Sequence, residues 1–294
     1  MDVSIIFVNY KTKDLTINAV KSVIQKTENV EYEIFVVDNN SDDGSIEAIE
    51  KEFPQINIIK NPVNAGFGSA NNLAIKQAKG KYIFCLNTDT FLINNAIKIM
   101  YDYMEKEENS NVGVCGGYLV DNDDKPCIAG GHLPSLADVF WKSGLMYLFP
   151  QIYRKKYRVG LNSDELSKVK NIGYITGADI FFRKTVLDEV GLFDENIFMY
   201  FEETDLCKRI KDAGFDIKIV DNAIIKHFEG KSNNNELRLK KMIKKSEFYY
   251  FHKHKKNYLW LVKIIYIILY FIDWLIYDNK LSKEVVFAIV KNAL

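Results

Sequence analysis

Cysteine is scarce in this chain, and the few cysteines are widely spaced. The four are Cys85, Cys115, Cys127 and Cys207, and no two of them form a Cys-x-x-Cys pair. This spacing indicates neither a disulfide framework nor a zinc knuckle, so we expect a protein of the reducing cytosol. The first residues also lack the basic region and the cleavage site of a secretory signal, which predicts that the chain is not exported.

The net charge is zero at pH 7, but the charges are unevenly distributed. Residues 231–263 carry ten Lys or Arg side chains against two acidic ones, a net charge of +8. The first 230 residues carry 26 basic and 34 acidic side chains, a net charge of −8. We therefore predict an acidic body, residues 1–230, and a basic helical extension, residues 231–294. A hydrophobic content of 48% is enough to bury a core and excludes a disordered chain.

Apolar strand patterns alternate with helical patterns through most of the body. The predicted order is strand 3–8, helix 15–24, strand 33–37, a helix after residue 41, strand 56–59, helix 67–78 and strand 82–86. A less regular stretch, 121–171, precedes strand 179–182, helix 203–213 and strand 217–220. This alternation favours an α/β fold with a mostly parallel sheet flanked by helices. Ligands of such sheets bind beyond the carboxyl ends of the strands, where this chain places polar residues.

The basic extension contains an apolar and aromatic run, residues 258–277, which is interrupted by Lys263 and Asp273. Twenty helical residues would reach about 30 Å, enough to cross a bilayer core. Each charge would cost about 3 kcal/mol at the bilayer centre, so an interfacial helix beside a basic stretch fits better than a spanning one. The alternative is a helical pair that packs on the body or on a second protomer.

Two short motifs at strand ends suit a nucleotide. Asp38 follows a buried strand and could accept hydrogen bonds from a ribose or a base edge, or cap the next helix together with Ser41. The second motif, residues 64–72, contains glycines that let the backbone approach a ligand closely, and it opens a helix. It fits neither a P-loop nor a dinucleotide fingerprint. A plain tight turn is its alternative. Its polar and glycine positions are Asn64, Gly66, Gly68 and Asn71.

Carboxylates dominate the two other motifs. Asp89 follows an apolar strand and is well placed to hold Mg²⁺ or Mn²⁺ against a diphosphate, or is an ordinary turn aspartate. Three acidic residues open a later helix, and either Glu203 or Asp205 could act as a general base in a partly apolar pocket. Their charge also simply suits the helix dipole. His227, at another strand end, is a candidate metal ligand or an ordinary hydrogen-bonded histidine.

Taken in this order, the motifs resemble the family 2 glycosyltransferases of the GT-A fold, in their rhamnosyltransferase-like branch, over residues 3–232. The resemblance implies an inverting, metal-dependent transfer of a hexosyl unit, with Glu203 as the base and Asp205 as the second choice. It implies Asp89 as the metal ligand, joined by His227, because Asn87 replaces the first carboxylate of the family's Asp-x-Asp motif. The implied donor-site residues are Asn9, Asp38, Asn64, Gly66, Gly68, Asn71, Asn87, Gly177 and Arg209.

The implied donor is dTDP-rhamnose or a UDP-sugar, and the implied acceptor is a lipid-linked or polymeric saccharide of a surface polysaccharide. The protein would then be peripheral at the cytoplasmic leaflet, without a nucleic-acid partner, and a homo-oligomer stays open. A sugar-nucleotide nucleotidyltransferase is a rival, disfavoured because residues 8–12 contain no glycine. A catalytically degenerate, sugar-nucleotide-binding scaffold is the second rival, and Asn87 gives it support.

Overall fold

The structure, a computed structural model, describes residues 1–141, 151–152, 160–228, 236–277, 283 and 286–287. The chain forms two compact units. The first consists of residues 1–131, 160–198 and 202–232, and the second of residues 132–159, 199–201 and 233–294. The predicted domain boundary between residues 230 and 231 lies outside the described residues and stays a prediction.

Strands and helices alternate through the first unit. The strands are β1 Val3–Asn9, β2 Tyr32–Asp38, β3 Asn57–Lys60, β4 Tyr82–Leu86, β5 Thr90–Leu92, β6 Val112–Val120, β7 Ile128–Gly131, β8 Leu161–Asn162, β9 Tyr174–Ile175, β10 Asp179–Arg183 and β11 Asp216–His227. Its helices are α1 Lys13–Lys26, α2 Ser45–Glu52, α3 Phe67–Ile75, α4 Ala96–Glu105, α6 Ser163–Leu166, α7 Lys184–Val190 and α8 Glu202–Asp212. The second unit contains α5 Leu136–Phe140, α9 Glu236–His254 and α10 Leu259–Tyr277.

The main sheet has eight strands in the order β3-β2-β1-β4-β10-β6-β11-β5. The first four strands are parallel, whereas β10 runs antiparallel to both of its neighbours. Strand β11 is parallel to β6 and antiparallel to β5. The predicted mostly parallel sheet is therefore confirmed, and the reversal of β10 brings the first residue of that strand to the same edge as the last residues of β1, β2 and β4.

Burial explains why the central strands read as continuous apolar runs. Every residue of β4 is buried, and so are nearly all residues of β1. Helices cover both faces of a parallel sheet, so strands in its centre have no solvent-facing side. The stretch 121–171 contains more regular structure than the sequence predicts, because β7 and β8 pair within a small three-stranded sheet that β9 completes.

In the second unit, α9 and α10 pack together around a small apolar core. Its buried members are Val139, Phe248, Tyr250, Phe251, Val262 and Tyr266. The hydroxyl of Tyr266 donates to Glu247, which also pairs with Lys244. The predicted helix over residues 258–277 is thus present. Across the part of the chain that the structure describes, no helix is long and apolar enough to cross a membrane.

Candidate active site at the strand ends

The carboxyl ends of three parallel strands lie side by side at one edge of the main sheet. Asn9 at the end of β1 is in register with Asp38 of β2, and Asp38 is in register with Lys60 of β3. In β10, Asp179 lies opposite Leu86, the last residue of β4. The polar residues that the sequence singles out at these strand ends therefore share one edge.

Asn9 is completely buried and uses its whole side-chain amide in the protein. The amide nitrogen donates to Asp38 Oδ1 at 2.6 Å and to Ser41 Oγ at 3.0 Å. The amide oxygen accepts hydrogen bonds from the hydroxyls of Thr12 and Thr16. Two donors and two acceptors exhaust the capacity of an asparagine side chain. Asn9 therefore supports the site by orienting Asp38, instead of presenting a free group of its own to a ligand.

A cavity of about 350 Å³ opens beside Asp38. Its walls come from the end of β2, the start of α2 and the residues that follow β3. Four carboxylates and one amine line it, those of Asp38, Asp42, Asp43, Glu47 and Lys60. A volume above about 300 Å³ is in the range of small-ligand sites, and acidic walls favour a ligand that brings hydroxyl and N–H donors.

The loop before α3 is fixed by side-chain amides and by a close backbone contact. Asn64 Oδ1 accepts from Asn39 at 2.9 Å and from the Gly66 amide at 3.1 Å. Gly66 has a φ of +91°, and a Cβ there would collide with the carbonyl oxygen of Phe198. A side chain at Gly66 is thus excluded by the protein itself. The close approach that the sequence suggests for a ligand is, at this residue, an approach to the segment before α8.

A second clamp joins α3 to the same segment. The side chain of Asn72 both donates to the Phe193 carbonyl at 2.9 Å and accepts from the Phe193 amide at 3.1 Å. Asn71 is buried and donates to the Phe67 carbonyl within its own helix. Gly68 lies so close to Glu202 that a Cβ on the glycine would be 3.4 Å from the glutamate Cβ. The loop before α3 and the start of α8 are therefore immediate neighbours.

Two further contacts join the remaining motifs to this loop. The backbone amide of Asn87 donates to the carbonyl of Ala178 at 2.9 Å. A Cβ on Gly177 would be 3.5 Å from the ring of Phe67. An uninterrupted series of contacts thus leads from the end of β4, through residues 177–178 and the loop before α3, to Glu202.

Two adjacent carboxyl groups open α8. Glu202 is 4% exposed, and its Oε2 finds no hydrogen-bond partner among the described residues. Burial, together with the charge of Glu203, raises the pKa of Glu202 well above its usual range. Burial raises the pKa of Glu203 to about 7, although hydrogen bonds from the helix start and from Thr204 act in the opposite direction. The Glu203 side chain as a whole is only half-buried, although its carboxyl group is desolvated.

Asp89 and His227 meet because β5 pairs with β11. Thr90 lies opposite His227 in that ladder, and the backbone amide of Phe228 donates to the Asp89 carbonyl at 2.8 Å. The Nε2 atom of His227 is 3.4 Å from Asp89 Oδ1. The two predicted metal ligands are therefore neighbours. Within the described ranges no group of three or more His, Cys, Asp or Glu residues could hold a metal.

Residues 4–191 match the model of glycosyl transferase family 2. The chain belongs to this family. The N-acetylglucosaminyl-diphospho-decaprenol L-rhamnosyltransferase of Mycobacterium tuberculosis is 23% identical to it over 215 residues, which cover 69% of this chain and 68% of that relative. The predicted resemblance to the rhamnosyltransferase-like branch is thereby confirmed.

Solved glycosyltransferase structures share the fold of this family member. GalNAc-T7, crystallised with UDP, GalNAc and Mn²⁺, superposes with a TM-score of 0.57 at 14% identity, over 85% of this chain and 50% of its own. The mannosyltransferase PcManGT of Pyrobaculum calidifontis, in complex with GDP-Man and Mn²⁺, gives a TM-score of 0.57 at 11% identity, over 99% of this chain and 80% of its own. The fold is therefore GT-A, as predicted.

In this glycosyltransferase Asp205 and Arg209 form a structural pair. Asp205 is completely buried, and its Oδ2 accepts from Arg209 Nε at 2.9 Å. The guanidinium also donates to the carbonyls of Val190, the last residue of α7, and of Gly191 and Leu192, which follow it. Asp205 therefore lacks the access that a general base requires, and the contacts of Arg209 shape the segment that leads to α8.

The sequence reading missed Asp179, a buried carboxyl at the edge of the site. Its Oδ2 accepts from the Gly117 amide at 2.6 Å, and its Oδ1 has no hydrogen-bond partner among the described residues. Burial raises the pKa of Asp179 well above its usual range. A carboxylate directly before three apolar residues of a strand is the pattern that could have revealed it.

Replacing Asp205 by Asn should destabilise the glycosyltransferase, because it removes one partner of a buried ion pair. We expect a loss of about 3 kcal/mol in the free energy of unfolding, measured by urea denaturation. The matched control is Asp212→Asn on the same helix, since Asp212 is exposed and forms an i,i+4 pair with Lys208. That substitution should change stability by less than about 0.5 kcal/mol. Equal stability of the two variants would contradict the structural assignment.

Replacing Glu202 by Gln should make stability less dependent on pH. The folded protein holds a proton on Glu202 above the pH at which the unfolded chain releases it. Stability therefore falls as pH rises, by up to about 1.4 kcal/mol for each pH unit. Glu202→Gln should therefore be more stable than wild type at pH 8 and should lose less stability between pH 6 and pH 8. Thermal unfolding across this range, with the exposed Glu189→Gln as control, measures the effect. A wild-type slope in Glu202→Gln would argue against a protonated Glu202.

Proposed function

We propose that the chain is an inverting, metal-dependent hexosyltransferase. It moves a hexosyl unit, with rhamnosyl the first choice, from a nucleoside diphosphate sugar to a hydroxyl of a saccharide acceptor in surface polysaccharide assembly. The observation that carries the proposal is Glu203, whose pKa is raised to about 7 at the start of α8. A general base works best when its pKa lies near the working pH.

The cavity beside Asp38 is the proposed nucleoside site. Asp38 is held in place by Asn9 and by the backbone amide of Ser41, so its carboxylate needs no rearrangement to accept hydrogen bonds. A ribose offers hydroxyl donors and a pyrimidine base offers an N–H, which suits the acidic wall. The series of contacts from Asn87 through Gly177 to Gly68 leads from β4 towards Glu203, and we assign the diphosphate and the donor sugar to this stretch.

The residues present fit a divalent metal ion held jointly with the donor. Asp89 supplies a carboxylate and His227 an imidazole at 3.4 Å from it. Mg²⁺ and Mn²⁺ in such sites take one or two protein carboxylates and complete their coordination with substrate phosphates and water. When bound, the ion would neutralise the negative charge that develops on the leaving diphosphate.

The chemistry proposed for Glu203 is removal of the acceptor proton. The acceptor oxygen attacks the anomeric carbon from the face opposite the diphosphate, and its proton passes to a carboxylate oxygen of Glu203. The bond between the anomeric carbon and the diphosphate oxygen breaks with its electron pair going to the diphosphate. Attack from the opposite face inverts the configuration. A positioned base of this kind contributes about 10² to 10⁴ in rate.

We infer the acceptor class from a relative and from the basic extension. The relative from Mycobacterium tuberculosis is named for transfer of L-rhamnose to N-acetylglucosaminyl-diphospho-decaprenol. Polyprenyl-linked saccharides are confined to a membrane surface, and a segment with a net charge of +8 is attracted to anionic lipid. A lipid-linked saccharide at the cytoplasmic leaflet, reached by a peripheral protein, is therefore the acceptor that we propose.

Nucleotide binding tests the donor site. Titration of the protein with dTDP and with UDP, with and without Mn²⁺, should raise the melting temperature, because a ligand at about 100 times its Kd stabilises the folded state by about 2.7 kcal/mol. Asp89→Ala should abolish the part of the shift that requires Mn²⁺. Asp102→Ala, on the exposed side of α4, is the control and should behave as wild type.

The outcomes of this titration separate the proposed enzyme from its rivals. The nucleotide that gives the larger shift identifies the base. Absence of a shift with either nucleotide would count against the donor site. A normal shift without any transfer or donor hydrolysis would instead favour a sugar-nucleotide-binding scaffold.

The pH dependence of kcat/KM tests Glu203. Because the base must be ionised, kcat/KM should rise with pH through an apparent pKa of about 7 and then level off. Glu203→Gln should lower kcat by about 10² to 10⁴ and remove this rise, while its nucleotide-induced shift in melting temperature stays at the wild-type value. Glu189→Gln, exposed on α7, should keep full activity. An unchanged pH profile in Glu203→Gln would exclude it as the base.

A further inference from the structure

One face of α10 is apolar and exposed along the helix. Six large side chains on it are between 43% and 65% exposed: Trp260, Ile264, Ile268, Phe271, Ile272 and Leu275. At 3.6 residues per turn these positions fall within an arc of about 120°. Among the α10 residues whose side chains the structure describes, every exposed one belongs to this set. We call it the α10 apolar face.

The opposite face of α10 is already packed. Val262 is completely buried and Tyr266 is 3% exposed, both in the core that α10 shares with α9. The ring of Tyr266 also lies under the ammonium group of Lys244, at 4.3 Å. The helix is thus fixed in its unit without the apolar face. A continuous surface of six large, exposed apolar side chains, which the fold does not require, indicates a binding surface.

The charges of the same unit favour a lipid surface over a second copy of the chain. Exposed lysines lie on α9 and just after it, at positions 241, 245, 253 and 256. Pairing of two copies through the α10 apolar face would bring together two segments with a net charge of +8 each. An anionic leaflet offers the opposite charge, and lysines near its surface add to the affinity.

We propose that the α10 apolar face inserts into the interface of an anionic phospholipid membrane, with the helix lying in the plane of the membrane. The exposed lysines at positions 241, 245, 253 and 256 then lie at the headgroups. Trp260 has the side-chain type that is enriched at such interfaces. The choice of a membrane rests partly on the proposed function, whose acceptor is lipid-linked. The proposed orientation of the helix rests on the exposed face of α10.

The test is flotation of the full chain with phosphatidylcholine vesicles that do or do not contain phosphatidylglycerol. Wild type should float with the anionic vesicles. Ile268→Glu should lower the partition coefficient roughly tenfold to a hundredfold, because it removes one apolar side chain from the α10 apolar face, which would be buried in the membrane. Ile24→Glu, at an exposed apolar position of α1 in the first unit, is the matched control and should bind as wild type.

A second variant tests the electrostatic part of the proposal. Lys241→Glu combined with Lys245→Glu should reduce the preference for phosphatidylglycerol and leave the weaker binding to phosphatidylcholine unchanged. Far-UV circular dichroism and the nucleotide-induced shift in melting temperature report whether each variant is folded. Both lysines are exposed, so we expect wild-type values.

Two results would overturn the inference. The first is a wild-type protein that does not float with anionic vesicles. The second is an Ile268→Glu variant that floats as well as wild type, and if this variant also dissociates a dimer, the face belongs to a second copy. Vesicle binding that depends on Ile268 in a protein without nucleotide binding would support the inference and count against the proposed function.

Discussion

The hydrogen bonds of the buried side-chain amide of Asn9 are the interactions on which the proposed nucleoside site at the strand ends depends. Its four hydrogen bonds tie the end of β1 to the start of α1 and to the turn after β2. A buried amide without partners would be costly, and a fully satisfied one fixes a single arrangement. The position of Asp38 follows from this arrangement, since Asn9 and the Ser41 amide hold its two carboxylate oxygens.

The start of α8, where the proposed base lies, is organised by a different kind of constraint. Gly66 and Asn72 hold the segment before α8 by close packing and by paired hydrogen bonds, and this segment leads directly into Glu202 and Glu203. Burial of the two carboxyl groups raises their pKa values, and the charge of Glu203 adds to the rise at Glu202. Loss of solvation opposes folding at neutral pH and also gives Glu203 the proton affinity that a base requires. Stability is thus reduced at the place where the proposed chemistry occurs.

Local patterns predicted the strands and helices in the first half of the fold, but they did not reveal which strands run antiparallel. The apolar runs of β1, β2 and β4 are visible in the sequence because each is a continuous segment buried on both faces. The reversal of β10 depends on its neighbours β4 and β6, which are more than 60 residues away, and no local pattern encodes that distance. The contact of Asp89 with His227 is likewise a product of the β5–β11 ladder.

The candidate site shows the same division between local and long-range information. From the residues alone, Glu203 and Asp205 were alternative bases at one helix start, and only the family resemblance ranked Glu203 first. In the structure, the buried ion pair of Asp205 with Arg209 separates the two carboxylates. The sequence does hint at the ion pair, because Asp205 and Arg209 are four residues apart and therefore lie on the same face of α8.

The net charge of the whole chain says little about membrane binding, whereas the local distribution of charge points to the basic extension. Charges interact over about 8 Å at physiological ionic strength, so a membrane responds to the charges that come near its surface. The acidic total of residues 1–230 need not oppose binding when the apolar face and the lysines lie in the same unit. Apolar insertion places a helix at the interface, and each lysine near the headgroups then acts at short range, where salt screens least. The two contributions therefore reinforce each other, and a helix that is too interrupted to span a membrane is well suited to lie in its interface.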